Sequence, residues 1–144
     1  MEQISKSLVK AVCDRHLYNQ DLIAANGKTF CNIFVQRVFE SIGYSKLNGK
    51  LANQILSFCA ENKKDFESIT VIDAIIKVVD DFFIIAARED YPHGHVAIVY
   101  PDEPIFSKKW DIFVPRVASV GDRNGVMGAN FAFSGKPSYY LFLK

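Results

Sequence analysis

The spacing of apolar residues changes halfway along the chain, and this change restricts the fold more than any other feature of the sequence. The first half has apolar residues at helical spacing in four segments, residues 3–17, 32–42, 51–60 and 70–79. The second half has apolar runs of strand length, at residues 82–87, 95–100, 113–120 and 139–143. Helices followed by strands predict an α+β fold, with N-terminal helices packed on one side of a four- to six-stranded antiparallel sheet.

Short polar signals mark the ends of several predicted elements. Thr70 and Asp73 have the spacing of a capping box at the start of the fourth helix. Gly43 ends the second helix, and Asn26-Gly27 predicts a turn ahead of it. Residues 101–104 have Pro at both ends, so we expect the strand that begins at residue 95 to stop there.

The composition is that of a globular protein and excludes several functional classes. The 144 residues suit one domain, residues 1–144, and the apolar (49%) and charged (23%) fractions argue against disorder. The net charge is +1 with no basic stripe, so we expect no nucleic-acid partner. No run approaches the roughly 18 apolar residues of a membrane span, so we expect no membrane partner either. Residues 1–20 lack the apolar centre of a secretory signal.

The cysteines are the first candidates for chemistry. The chain has three, Cys13, Cys31 and Cys59, with no Cys-x-x-Cys pair, which favours neither a disulfide framework nor a zinc site. The glycines of residues 121–128 do not match a phosphate-binding loop. We therefore expect no metal and no cofactor. Cys13 and Cys59 lie on apolar helical faces and are interpreted as core thiols.

Cys31 differs because it directly precedes the second predicted helix. Unpaired N–H groups and the positive end of the helix dipole stabilise a thiolate at that place. A nucleophilic cysteine also needs a base from another element. His95 begins a predicted strand after Gly94, and an imidazole exchanges protons near neutral pH. Without further context, a cysteine before a helix is more often a buried small side chain, and a histidine in a turn before a strand is more often a surface residue.

A third polar group would orient the imidazole. Asp122 and Asn124 are the candidates, because they follow the strand predicted for residues 113–120. Ser119 on that strand is the alternative.

Two segments carry a family resemblance. Residues 29–35 read Thr-Phe-Cys-Asn-Ile-Phe-Val, and residues 94–101 read Gly-His-Val-Ala-Ile-Val-Tyr-Pro. With the apolar strand of residues 83–87 between them, they resemble the CHAP amidases and the related NlpC-type peptidoglycan hydrolases. The 64 residues from Cys31 to His95 suit that family. The resemblance implies a papain-like fold with Cys31 as nucleophile and His95 as base.

The same resemblance assigns the third position less directly. Family members often have an acidic residue, one spacer and Asn after the strand that follows the histidine. Asp122-Arg123-Asn124 matches this pattern with Asp in place of the more usual Glu and a longer interval, 27 residues after His95.

The function implied by the resemblance is cleavage of amide bonds in bacterial peptidoglycan peptides. We then expect a bacterial or phage protein without a signal peptide, exported by a specialised route to the periplasm or cell wall, with an immunity or inhibitor protein as a possible partner. Two alternatives stay open. One is a papain-like effector protease or transferase that acts on a protein, and the other is a non-catalytic binding module of the same fold.

Overall fold

A six-stranded sheet and five α-helices make up the part of the chain that the structure describes. The computed structural model describes residues 7–144. The helices are α1 (Leu8–Leu17), α2 (Cys31–Ser41), α3 (Ala52–Glu61), α4 (Val71–Val79) and the short α5 (Ala129–Ala132), with a 3-10 turn at Gln20–Leu22. The strands are β1 (Phe66–Ile69), β2 (Ile84–Arg88), β3 (His95–Ser107), β4 (Ile112–Ser119), β5 (Gly125–Gly128) and β6 (Ser138–Phe142).

The sheet is antiparallel throughout, with the strand order β1-β6-β2-β3-β4-β5. The predicted α+β class and the predicted strand number are therefore confirmed. The two central strands, β2 and β3, are buried along most of their shared length. Their apolar runs have no polar alternation because both faces of a central strand are covered.

One face of the sheet packs on α1, α2 and α3, and aromatic residues make the contact with α2. Phe39 of α2 lies 5.8 Å from Phe66 of β1 and 5.1 Å from Phe142 of β6, measured between ring centroids. Tyr44, just after α2, lies 4.8 Å from Phe142. Tilted and edge-to-face aromatic pairs of this kind add to the stabilisation from apolar burial. This cluster joins α2 to the β1 edge of the sheet.

The opposite face is covered in part by α4, which differs from the expectation of helices on one side. Tyr139 and Phe142 are three residues apart on β6, so their side chains point to opposite faces. Phe142 packs on α2, whereas Tyr139 borders a cavity together with Val71 at the start of α4. α4 connects β1 to β2. These two strands run in the same direction and are separated in the sheet by β6. The helix packs on β3, β4 and β6. Strand periodicity could not reveal this placement, because it does not say which face a helix covers.

The predicted helices begin and end close to the observed ones. Residues 3–6 of the first predicted helix lie outside the described residues. Thr70 caps α4 by accepting a hydrogen bond from the Asp73 N–H, as predicted. The start of α1 also depends on a distant residue, because the Asp81 carboxylate accepts hydrogen bonds from the N–H groups of Leu8 and Val9.

The predicted end of the second strand segment, residues 95–100, was wrong. β3 does not stop at residue 100 but continues to Ser107. The two prolines instead lie in an irregularity of the β3–β4 pairing, between Tyr100 and Ile105. A bulge tolerates proline because it interrupts the ladder of hydrogen bonds. Sequence analysis also missed β1 and β5, two four-residue strands at the sheet edges.

Asp65 is a buried carboxylate just before β1, and it links β1 to the residues after α2 and α3 and to the C-terminal residue. Its side chain is 2% exposed and accepts hydrogen bonds from Tyr44 at 2.5 Å and from Asn62 at 3.1 Å. The ammonium groups of Lys46 and Lys144 lie 3.2 and 3.3 Å from it. The Tyr44 hydrogen bond and these lysines lower the pKa of Asp65 to about 2.

We expect Asp65→Asn to lower the free energy of unfolding by about 1–3 kcal/mol at neutral pH, because Tyr44 and the two lysines lose an anionic partner. The native pKa is below the unfolded value of about 3.9, so the contribution is complete above that pH. It is lost as the pH falls through about 2. Urea unfolding of both proteins from pH 7 to pH 2 measures this.

The control is Glu67→Gln, since Glu67 is exposed on β1 two residues away. This variant should unfold almost like the wild type. A constant difference between wild type and Asp65→Asn across the whole pH range would contradict the assignment.

Candidate active site

The backbone before α2 places Cys31 at the first turn of that helix. Asn26 and Gly27 have φ angles of +53° and +75°, the left-handed conformation that Asn and Gly adopt most readily. Ala25 and Lys28 bridge across them, so the predicted turn is confirmed. The chain then enters α2 with Phe30 as N-cap, and no side chain caps the helix. The first amide groups of α2 are therefore left to other partners.

The Cys31 thiol lies at the meeting point of α2 and β3. Its residue is 5% exposed. Burial raises the pKa of the thiol above its usual value, while backbone hydrogen bonds from the Val96, Asn32 and Cys31 N–H groups act to lower it. Burial is the larger effect. The contact with Val96 matters most for the geometry, because Val96 directly follows His95.

His95 is the first residue of β3 and is fixed by tight backbone packing around Gly94. A Cβ on Gly94 would lie 2.7 Å from the Arg88 carbonyl oxygen and would also overlap the Asn53 side chain. Asn53 of α3 donates a hydrogen bond to the Asp90 carbonyl and accepts one from the Asp90 N–H. Only glycine fits at position 94, so the turn can approach α3 closely.

The His95 imidazole is partly buried among three neighbours. Its Nε2 lies 2.8 Å from the Ser119 Oγ. The Phe133 ring packs edge-to-face at 4.9 Å between centroids, and a Cβ on Gly121 would lie 3.4 Å from the His95 Cε1. Burial lowers the pKa of His95 to about 4, against an opposing effect of the Asp122 charge. The imidazole is therefore neutral at pH 7.

Folding thus brings Cys31 and His95 into one neighbourhood, although they are 64 residues apart in the sequence. The Val96 backbone, which directly follows His95, lies close enough to the Cys31 sulfur to lower the pKa of the thiol. Within residues 7–144, no side-chain hydrogen bond joins the thiol to the imidazole. The thiol and the imidazole are both uncharged in this arrangement, since burial disfavours the charged form of each.

The three candidates for the third position have different surroundings. Ser119 is 2% exposed and contacts His95 directly. Asp122 is exposed and acts on His95 through its charge. Asn124 contacts the backbone instead, accepting a hydrogen bond from the Gly121 N–H and donating one to the Leu22 carbonyl. Asn124 therefore holds the β4–β5 loop against the 3-10 turn.

A cleft of about 490 Å³ opens beside His95. His95, Ser119 and Asp122 line it together with Thr29 and Arg123. Cys31 is not among its lining residues. Exposed His93 also borders it, as expected for a turn residue near the site.

Sequence reasoning missed several parts of this site. Phe133 and Gly121 lie against His95, and neither belongs to a recognisable motif. Gly94 and Val96 belong to the segment of residues 94–101, but the sequence did not show what their backbones contact. The absence of a side chain at Gly94 and Gly121 was the one available signal, because glycine permits close approach.

The described part of the chain contains neither a clustered metal site nor a membrane-length helix. Among residues 7–144, no group of three or more His, Cys, Asp or Glu side chains is placed to hold a metal ion. In the same range, no helix has the length and hydrophobicity to cross a bilayer.

Comparison with known proteins assigns no family. No protein-family model matches this sequence, and a search of curated proteins finds no significant match. The likeness to CHAP and NlpC-type hydrolases therefore rests on the residues of the two segments around Cys31 and His95.

We expect the imidazole of His95 to titrate near pH 4 in the folded protein, because it is buried and has only a distant anionic neighbour. Asp122→Asn should lower this pKa further, since the Asp122 charge is the influence that raises it. A two-dimensional NMR titration of the ring protons measures both values.

Asp90→Asn is the matched control, because it removes a carboxylate that has no part in setting the His95 pKa. It should leave the titration unchanged. A titration midpoint near 6.5 in the folded wild type would show that the imidazole is solvated. It would contradict the conclusion that burial lowers the pKa of His95.

Proposed function

We propose that this protein is a papain-like cysteine hydrolase that cleaves amide bonds in bacterial peptidoglycan peptides. The observation that carries the proposal is the contact between the start of α2 and the start of β3. There the Val96 backbone lies close to the Cys31 sulfur, and the Nε2 of the neighbouring His95 lies 2.8 Å from the Ser119 Oγ. A thiol, a neutral base and an orienting hydroxyl are the parts that such a reaction needs.

The proposed reaction begins with both groups uncharged. Because Ser119 occupies Nε2, the other ring nitrogen, Nδ1, takes the proton from the Cys31 thiol as its sulfur attacks the substrate carbonyl carbon. The tetrahedral oxyanion then collapses, the C–N bond breaks, and His95 gives the proton to the leaving amine. A thioester remains on Cys31. Water, deprotonated by His95, hydrolyses the thioester and restores the thiol.

Backbone amides at the helix start would stabilise the oxyanion. The Cys31 and Asn32 backbone groups lie close enough to the thiol to lower its pKa, and no side chain caps the helix. Donors placed at a developing oxyanion typically contribute about 10²–10³ in rate each.

The substrate class follows from the resemblance of residues 29–35 and 94–101 to peptidoglycan amidases. The chemistry of the site would serve a protein substrate equally well. Digestion of purified cell-wall sacculi therefore separates the peptidoglycan hydrolase from the effector protease or transferase.

A second candidate is a non-catalytic binding module of the same fold. Two observations favour it. The Cys31 thiol is buried with a raised pKa, and no hydrogen bond within residues 7–144 links it to His95. A thiol of this kind is normally inert toward electrophiles. The reactivity of Cys31 therefore distinguishes the two candidates.

We expect the wild type to release soluble muropeptides from sacculi, and Cys31→Ala and His95→Gln to release none, because nucleophile and base are then absent. Chromatography with mass spectrometry of the released fragments identifies the cleaved bond. His16→Gln is the matched control, since His16 binds Ser41 on another part of the surface. Turnover by Cys31→Ala would contradict the mechanism.

Ser119→Ala should lower kcat about fivefold, because a neutral hydrogen bond contributes about 1 kcal/mol to holding the imidazole. KM should change little, since Ser119 acts on His95 rather than on the peptide. Ser119→Thr keeps the hydroxyl and should restore most of kcat. Equal kcat in Ser119→Ala and wild type would remove Ser119 from the orienting role.

A further inference from the structure

The cleft beside His95 continues into a smaller recess of about 180 Å³. The two share His93, Gly94, His95 and Ala132 in their walls. Arg88 lines the recess but not the main cleft. A substrate whose scissile bond lies at His95 would therefore extend one of its ends toward Arg88.

The sheet places Arg88 beside His95. The two residues are direct partners in the β2–β3 ladder, so their side chains leave the same face of the sheet on neighbouring strands. Side chains at such positions are about 5 Å apart at Cβ. Any group that Arg88 binds is therefore next to the reacting centre.

The surroundings of Arg88 hold its guanidinium in a defined place. A Cβ on Gly135 would lie 2.6–2.7 Å from Cζ, Nε and Nη2, so the flat face of the guanidinium packs on the backbone at Gly135. Nη1 donates a hydrogen bond to the Ser134 Oγ at 2.9 Å. The loop after α5 thus orients the guanidinium, and glycine at position 135 leaves the room for it.

Most hydrogen-bond donors of Arg88 remain available. Among residues 7–144, its only side-chain hydrogen bond goes to Ser134, and Nε and Nη2 have no acceptor. Asp90 Oδ2 lies 3.6 Å from Nη1, an ion pair without a hydrogen bond, and its side chain is 55% exposed. A guanidinium with two adjacent free donors fits a carboxylate in a bidentate pair.

We propose that Arg88 binds a carboxylate of the substrate next to the scissile amide, so that the enzyme selects acidic peptides. This rests on the proposed function and names the substrate class of the same site. The substrate carboxylate takes the two free donors, while Asp90 stays a weak outer partner. Arg88 is a specificity residue here and takes no part in bond breaking.

Other charges around the cleft must be separated from this effect. Asp122 and Arg123 line the main cleft, and His93 borders both parts. Arg123 would attract anions without any bidentate site. It is therefore the matched control, because Arg88→Gln and Arg123→Gln remove the same charge.

The test compares two alkylating agents that differ in one group, iodoacetate with a carboxylate and iodoacetamide with a neutral amide. Mass spectrometry of the digested protein measures their rates at Cys31. The same thiol in the urea-unfolded chain gives the reference ratio of the two rates. In the folded wild type we expect that ratio to favour iodoacetate about tenfold over the reference, because the carboxylate is held beside the thiol.

Arg88→Gln should return the ratio to that of the unfolded chain, and Arg88→Lys should give an intermediate value, since Lys keeps the charge but not the fork. Arg123→Gln should keep the wild-type ratio. Equal losses in Arg88→Gln and Arg123→Gln would mean general attraction of anions and would overturn the proposal. So would a wild-type ratio equal to the reference, a result that does not depend on the folding of any variant.

The same experiment tells this proposal apart from the function it rests on. If Cys31 in the folded protein reacts with neither agent, the hydrolase itself is excluded, and the carboxylate site with it. If Cys31 reacts rapidly with both agents and shows no preference, the hydrolase stands and Arg88 has no role in selecting acidic peptides.

Discussion

The start of α2 meets the start of β3 where the Val96 backbone lies close to the Cys31 sulfur. Every chemical role considered for this chain depends on that contact. It exists because the turn before β3 can pack closely on α3 at Gly94, where a side chain would collide with the Arg88 carbonyl and with Asn53. The aromatic cluster around Phe39 holds the other end of α2 on the sheet.

Burial where α2 meets β3 determines the protonation states of Cys31 and His95. It raises the pKa of Cys31 and lowers that of His95 to about 4, so the thiol and the imidazole are both neutral. Forming the charged pair before substrate binds would place two ions in a poorly solvated site. In the proposed reaction, transferring the proton during the attack avoids that cost. Ser119 suits this state, because a neutral hydroxyl orients the imidazole without favouring its cation.

Much of the local structure could be predicted from the sequence. Helical spacing located α2, α3 and α4, and apolar runs located β2, the first half of β3, and β4 and β6. The misses have a common cause. β1 and β5 are four-residue edge strands that exist through pairing with β6 and β4, and the prolines in β3 are accommodated by a bulge. Such features depend on neighbouring strands and not on the segment itself.

The sequence by itself determined that Cys31 would begin a helix and that His95 would begin a strand, because local periodicity and turn residues decide such boundaries. It also identified Ser119, Asp122 and Asn124 as candidates, but could not rank them. Only the tertiary structure decided that Ser119 contacts His95, that Asn124 instead holds a loop, and that Arg88 stands beside His95. The reason is physical: strand register and loop packing arise from contacts between residues far apart in the chain, which no local pattern contains.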